Sequence, residues 1–311
     1  MYTMQKQARP SIGGYLLLLL VPLFWGGAFP AAQHVVTELP PITTAALRFI
    51  LAGLILLLLL FIRNGWQTVI VKRNWVGLLM MALTGVFAYN VFFYAGLQYT
   101  SAINGSLIIA VNPVLTTLGA VLFLKERWNL RLGLGMVLSL GGVLVVITGG
   151  SLSTLLTFTF NQGDLFIVVS LLSWVVYGLV GKIVMREVPP LLTTTITTVM
   201  GGVFLLLLSL FEKGWGSVPA LSLQSWGEMF YMALFATVIA FFLWNKGVHE
   251  VGASKASLLI NLVPINATWI AVLLYGSPVL WQQYIGMVMV ITGVVLAVFQ
   301  PEKKALVATE A

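Results

Sequence analysis

The sequence predicts an all-α integral membrane protein with ten transmembrane helices, arranged as two inverted-topology five-helix repeats. Three observations predict it. Hydrophobic residues make up 59% of the 311 positions and charged residues only 8%, against about a quarter charged in soluble domains. Lipid must therefore be the solvent around most of the chain. The apolar residues are gathered into runs long enough to cross about 30 Å of hydrocarbon as helices. One unusual run also occurs twice. Asn104 to Arg127 reads NGSLIIAVNPVLTTLGAVLFLKER, and Ser254 to Gly276 reads SKASLLINLVPINATWIAVLLYG. Adding 151 to Ser106, Leu107 and Pro113 gives Ser257, Leu258 and Pro264, so all three residue types recur in register. A proline at that depth removes one helical hydrogen bond, and the freed carbonyl needs a neighbour or a wet cavity.

Taken in order, the first unit holds runs at 14–36, 43–62, 75–97, 102–124 and 131–149. A polar Ser/Thr-rich connection follows at 150–162, then runs at 164–185, 190–211, 226–246, 253–275 and 280–299. The first run follows Lys6 and Arg9 but lacks a small-residue cleavage site, so it is expected to stay as a span and not be removed as a signal. The longest connections, 63–74, 150–163 and 212–225, leave no room for a soluble domain. The units are expected at 14–149 and 164–299, with a cytoplasmic tail at 300–311.

Orientation is read from lysine and arginine. With the N-terminus cytoplasmic, one side receives Lys6, Arg9, Arg63, Lys72, Arg73, Lys125, Arg127, Arg131, Lys182, Arg186, Lys246, Lys255, Lys303 and Lys304. The other side receives Lys213, and Arg48 lies within span two. Both termini are therefore expected in the cytoplasm of a multi-pass cell-membrane protein. The same basic loops account for the net charge of +7 without a nucleic-acid partner.

The repeat extends beyond the proline helices. Trp25 maps to Trp174 and Leu39-Pro40-Pro41 to Val188-Pro189-Pro190 with offset 149. Trp75 maps to Trp226, Gly96 to Gly247, Gly135 to Gly286 and Gly142 to Gly293 with offset 151. Five spans per unit is an odd number, so the second copy enters the membrane from the opposite face. Inverted repeats of this kind build secondary transporters, with substrate held near the midplane between halves that rock against each other.

Polar residues within the spans are the candidates for substrate contact, because facing inward is the cheapest way for them to avoid lipid. Amides occur at both helix breaks, with Asn112 beside Pro113 and Asn266 two residues beyond Pro264. They suit a zwitterion's ammonium and carboxylate, or they stitch helices together. Aromatic side chains on the same spans can line an apolar cavity. The candidate substrate-binding set is Trp25, Asn90, Tyr94, Asn112, Trp174, Tyr177, Asn245 and Asn261. Arg48 is the one charge well inside a span. It either attracts a carboxylate or lines the external entrance, or else it is a structural arginine that snorkels outward or bonds to helix-end carbonyls. None of the nine acidic residues lies in the middle of a span, so no proton-carrying carboxylate is evident. Span five carries Gly133, Gly135, Gly141 and Gly142, and span ten Gly286 and Gly293. Close packing of these two spans is expected.

From 14 to 299 the chain resembles the ten-helix drug/metabolite transporter superfamily, in its EamA-type branch. The likeness is carried by Phe24-Trp25-Gly26, by Pro41 through Leu47-Arg48-Phe49, and by Gly96 through Tyr99-Thr100-Ser101-Ala102. It continues in Lys125-Glu126-Arg127, Gly163-Asp164 and Gly252-Ala253-Ser254-Lys255-Ala256-Ser257-Leu258. The resemblance implies transport of small metabolites, often amino acids and sometimes drugs, through a cavity formed mainly by helices 1, 3, 4, 6, 8 and 9. One departure stands out. Where the family commonly has a glutamate matching Glu126 in the second unit, this chain has Ser277.

No P-loop, zinc-binding spacing or partnered serine nucleophile is found, and there is no cysteine. Neither catalytic residues, nor a metal, nor a cofactor is expected. The expected function is a secondary transporter, an exporter of small organic metabolites such as amino acids. A multidrug exporter of the same fold is the alternative, weakened for cationic drugs by the lack of buried carboxylates. A lipid-modifying membrane enzyme would need an interfacial His/Asp/Glu cluster, which the sequence lacks. Partners are the small-molecule substrate and the bilayer, with the monomer as working unit and a dimer as alternative.

Overall fold

The structure, a computed structural model, describes residues 12–298 other than 64, 101, 158–159 and 276–278. Lys6, Arg9, Ser277 and the expected tail at 300–311 lie outside the described residues. Those described are helical apart from turns and short connections, and no strand is found among them. Ten membrane-spanning segments follow one another. They are α1 (Ile12–Glu38), α2 (Pro41–Ile62), a composite α3 (Trp75–Met81, Ala82–Ala88, Tyr89–Leu97), α4 (Ala102–Ile109, Asn112–Leu124) and α5 (Leu130–Thr148). The second half has α6 (Gln162–Val184), α7 (Pro190–Ser209), a composite α8 (Leu223–Ala233, Leu234–Ile239, Ala240–Val251), α9 (Ala253–Leu259, Ile260–Leu262, Val263–Tyr275) and α10 (Trp281–Val298). Nine segments contain a helix long and apolar enough to cross a membrane. The remaining one, α9, is interrupted by a 3-10 turn at Ile260–Leu262. Pro264 has no N–H for the Ile260 carbonyl four residues back, so the helix tightens there before it resumes. Pro113 has the same effect in α4, which breaks between Ile109 and Asn112.

The packing is that of a pseudo-two-fold. α1 lies against α8 as α6 lies against α3, and α2 pairs with α7, α4 with α9 and α5 with α10. The α5–α10 crossing is the closest. A Cβ on Gly135 would stand 2.4 Å from the Gly293 carbonyl oxygen, and one on Gly293 would stand 2.5 Å from that of Gly135. Gly142 and Gly286 repeat the arrangement at 2.6 and 2.7 Å. Side chains are absent so that two backbones can touch, which is how helices associate where no hydrophobic effect drives them together. The expected pairing of spans five and ten is thus present within one chain.

Two features of the pseudo-symmetry leave no composition signature. α3 and α8 each contain a π-helical stretch, Ala82–Ala88 and Leu234–Ile239, and 88 plus 151 is 239. Helix ends are also held across the repeat boundary. Glu38, closing α1, accepts hydrogen bonds from the backbone N–H and hydroxyl of Ser222 at the start of α8 (2.9 and 2.8 Å). Glu187, at 38 plus 149, accepts from the Asn74 amide and pairs with Arg73 at the start of α3, both at 3.1 Å. The Glu38 clasp supplies an acceptor to a backbone N–H at a helix N-terminus, and both place a negative charge there, where it is favoured.

Candidate functional site

The bundle encloses a cavity of about 450 Å³ near its middle, within the range of about 300–1,000 Å³ typical of small-molecule sites. Its lining comes from every span but α7, from the middle of the helix or from the half distant from where α1 begins and α10 ends, as with Trp25 and Ala32 of α1, Arg48 of α2, Tyr94 of α3, Ile147 of α5 and Gln283 of α10. The cavity therefore opens towards the face opposite that on which most of the lysines and arginines lie. Towards the basic face it is shut by a layer of buried side chains, including Leu18, Met81, Tyr177, Trp244 and Val248, each at most 1% exposed.

Rings dominate the wall. The repeat-related Trp25 and Trp174 meet edge to face with centroids 5.3 Å apart. Trp174 also packs on Tyr89 (5.3 Å), Phe241 (5.7 Å), Trp244 (5.6 Å) and Tyr177 (5.1 Å, stacked). The indole of Trp25 donates to the Ala236 carbonyl (3.0 Å), which lies in the π-helical turn of α8. A wide turn leaves carbonyls misaligned with the helix ladder, so this one is free to hold a side chain. Arg48 uses the same turn. Its Nε donates to Thr237 Oγ1 (2.8 Å) and its Nη2 to the Ala236 carbonyl (3.3 Å), while the guanidinium packs over the Phe49 ring at 5.3 Å. Arg48 thus bonds to a backbone carbonyl, one within α8 and not at a helix end, and its side chain lines the cavity.

Of the eight candidate residues, Trp25, Asn90, Tyr94, Asn112, Trp174 and Asn261 line the cavity. The structure does not place Tyr177 and Asn245 there. They lie one layer towards the basic face, where Asn245 Nδ2 donates to the Tyr177 hydroxyl (2.8 Å) and to Thr194 Oγ1 (2.9 Å). They form part of the seal because Gly85, in the π-helical turn of α3, lets the Tyr177 ring lie on the backbone: a Cβ there would meet Tyr177 Cδ2 at 2.2 Å. By the offset of 149 the counterpart of Tyr177 is Ala28, a lining residue. A ring on one side of the midplane and a methyl group on the other leave the space open on one side only. Asn261 is engaged by Ser139 (2.9 Å) and Asn90 by the Val86 carbonyl (2.6 Å). Ile109, Val143, Thr268 and Gln283 also line the cavity. The three apolar or weakly polar ones carry no sequence signal, and Gln283 sits at the start of its span.

The seal has a polar clasp of its own. Glu126, just beyond α4, accepts hydrogen bonds from the backbone N–H groups of Ala253 (2.8 Å) and Ser254 (3.2 Å) at the start of α9. Gly252 supplies the required turn at φ +95°, where an added Cβ would stand 2.7 Å from the Glu126 carboxylate. Lys182 of α6 donates to the His249 carbonyl of α8 on the same face. Glu126→Ala removes charge-assisted hydrogen bonds, each worth about 1.5–3 kcal/mol. The chain has no cysteine, so one introduced at the fully buried Ser257 of α9 reports opening alone. Its maleimide labelling in Glu126→Ala should exceed that in the otherwise wild-type chain, and equal labelling would count against a sealing role for Glu126.

A ten-helix bundle with broken helices around a central cavity, shut at one face, is the architecture of a membrane transporter. The chain belongs to the EamA-like transporter family, whose model matches it twice, at residues 12–148 and 161–299. It is 38% identical over 283 residues to the uncharacterized transporter YyaM of Bacillus subtilis (strain 168), covering 91% of this chain and 92% of that one. It is 25% identical over 295 residues to the uncharacterized transporter YetK of the same organism, covering 95% and 89%. The fold matches a solved crystal structure with a TM-score of 0.78 at 18% identity, over 93% of this chain and 98% of that one.

Proposed function

We propose that the protein is a secondary transporter that exports small organic metabolites, such as amino acids, across the cell membrane by alternating access. The working parts are the units at 14–149 and 164–299, with the basic face and both termini cytoplasmic, so that the conformation described here is outward-facing. The observation that carries the reading is the central cavity of about 450 Å³, reachable from one face and shut at the other by Tyr177, Trp244 and the Glu126 clasp. A channel would be open to both faces at once. A carrier must be shut on one side whenever it is open on the other.

The test is uptake and counterflow in proteoliposomes with a mixture of labelled amino acids, with and without an imposed pH gradient. Saturable flux that an unlabelled compound competes for, and that trans substrate accelerates, is expected. Flux that stays linear with concentration would contradict a carrier. Topology has a separate check. A single cysteine at Leu155, in the connection between α5 and α6, should react with an impermeant maleimide added outside intact cells. Labelling only after lysis would overturn the inverted arrangement.

A further inference from the structure

We propose that the substrate is a monocarboxylate anion with an apolar body, and that Arg48 takes its carboxylate. This rests on the carrier reading and narrows it, placing an organic acid ahead of a zwitterionic amino acid. Arg48 is half-buried in the wall of the cavity, and neither of its two hydrogen-bond partners, Thr237 Oγ1 and the Ala236 carbonyl, is charged. No described residue accepts a hydrogen bond from its Nη1. The titratable groups that act on it are the hydroxyls of Tyr89, Tyr94 and Tyr231, none of them a carboxylate.

Nor is a carboxylate free to approach. Of nine acidic residues, seven are described, and every one is engaged away from the cavity. Glu38 holds Ser222 and Glu126 holds Ala253 and Ser254. Asp164 holds Thr100 and Asn161, and Glu187 holds Arg73 and Asn74. Glu212 holds Ile42 and Thr43, Glu228 holds His34, and Glu250 lies 3.9 Å from Lys246. The other two, Glu302 and Glu310, are in the tail. Among the described residues the site thus carries one positive charge and no compensating negative one. A half-buried guanidinium in a cavity wall presents a planar fork of donors, and the matching ligand is a carboxylate.

Asn112 points the same way. Its Oδ1 accepts from Thr116 Oγ1 (3.1 Å), while its Nδ2, buried in the cavity wall, has no acceptor. A buried donor left unpaired costs free energy that a ligand's acceptor oxygen recovers. Apart from the neutral polar side chains of Asn90, Ser106, Asn261, Thr268 and Gln283, the wall is rings and aliphatic groups such as Trp25, Phe93, Trp174 and Ile109, suited to an apolar body. An ammonium group would find no carboxylate partner there. By the offset of 149 the counterpart of Arg48 is Thr197, a neutral side chain bonded to the Thr193 carbonyl, so the site has one anion anchor and not two.

Three probes share one body and differ in charge: 3-phenylpropanoate, phenylalanine and phenethylamine. Equilibrium dialysis of each against the purified full-length protein in detergent separates the readings. 3-Phenylpropanoate should bind at least about tenfold more tightly than phenylalanine, and phenethylamine should show no saturable binding. In Arg48→Gln the affinity for 3-phenylpropanoate should fall by about tenfold or more, with part of it retained in Arg48→Lys. Absence of 3-phenylpropanoate binding, equal or tighter binding of either other probe, or an unchanged affinity in Arg48→Gln would each overturn the assignment. The comparison of the three probes on the wild-type chain stands even if the Arg48 variants do not fold. Flux of the same probes into proteoliposomes keeps the two claims apart. An anion that binds but does not cross leaves the anion site standing and sinks the carrier, whereas preferential carriage of phenylalanine does the reverse.

Discussion

Replacing Gly135 by leucine is expected to abolish accumulation of the folded protein. The Cβ alone would stand 2.4 Å from the Gly293 carbonyl oxygen, 2.7 Å from the Ala297 Cβ and 2.9 Å from the Ala297 backbone nitrogen. Two of these three are backbone atoms, so no rotamer change relieves the clash, and α5 and α10 must separate along their length. Overpacking of an interior costs about 1–3 kcal/mol when side chains can adjust, and here they cannot. A loss of about 3 kcal/mol or more is expected, a large fraction of the stability of most proteins. Fluorescence-detected size exclusion of a tagged variant would show it as a vanished monodisperse peak. Gly141→Leu is the control, because a Cβ there meets only the flexible end of Met289, at 3.4 Å. That variant should elute as the wild type does. If Gly135→Leu also elutes normally, the α5–α10 seam is not the close contact described above.

Trp174→Ala is expected to lower transport by at least about tenfold in a protein that still inserts. Trp174 touches five other rings, those of Trp25, Tyr89, Tyr177, Phe241 and Trp244, so its removal opens the cavity floor and loosens the seal beneath it together. Burial and cavity terms for a core tryptophan are about 3–5 kcal/mol, with about 0.5–1.5 kcal/mol per ring pair beyond area. Trp174→Phe keeps an aromatic centre and should retain much of the activity. Initial rates in proteoliposomes at matched protein content decide the matter, and an Ala variant as fast as wild type would remove Trp174 from the substrate path.

The spans, their alternation and their repeat were legible because each is written in residue type at fixed spacing. Prolines at 113 and 264 mark helix breaks since proline lacks an N–H wherever it stands. The glycines of α5 and α10 mark a close approach since nothing larger fits between two backbones. Trp25, Asn90, Tyr94, Asn112, Trp174 and Asn261 could be expected inside because lipid excludes amides and the repeat singles out the tryptophan pair. What stayed hidden has no such mark. Polarity says that Tyr177 and Asn245 face inward, but not on which side of the closing plane they fall. That is set by the π-helical turns of α3 and α8, where one hydrogen bond slips by a residue without any side chain demanding it. Arg48 showed its charge in the sequence, yet its anchorage on Ala236 depends on the same turn.

The carboxylate clasps are not interchangeable. Those of Glu38 and Glu187 are made at the same time, one on each face, in a single conformation. A contact present on both faces at once cannot tell the two faces apart, so in the alternating access proposed above these two are expected to act as rivets between the repeats. The Glu126 carboxylate has no counterpart in the sequence, because the residue 151 positions on is Ser277. In the alternating access proposed above, one closure is held by a carboxylate and the other has none at that position, so the empty carrier is expected to favour the side on which the clasp is made.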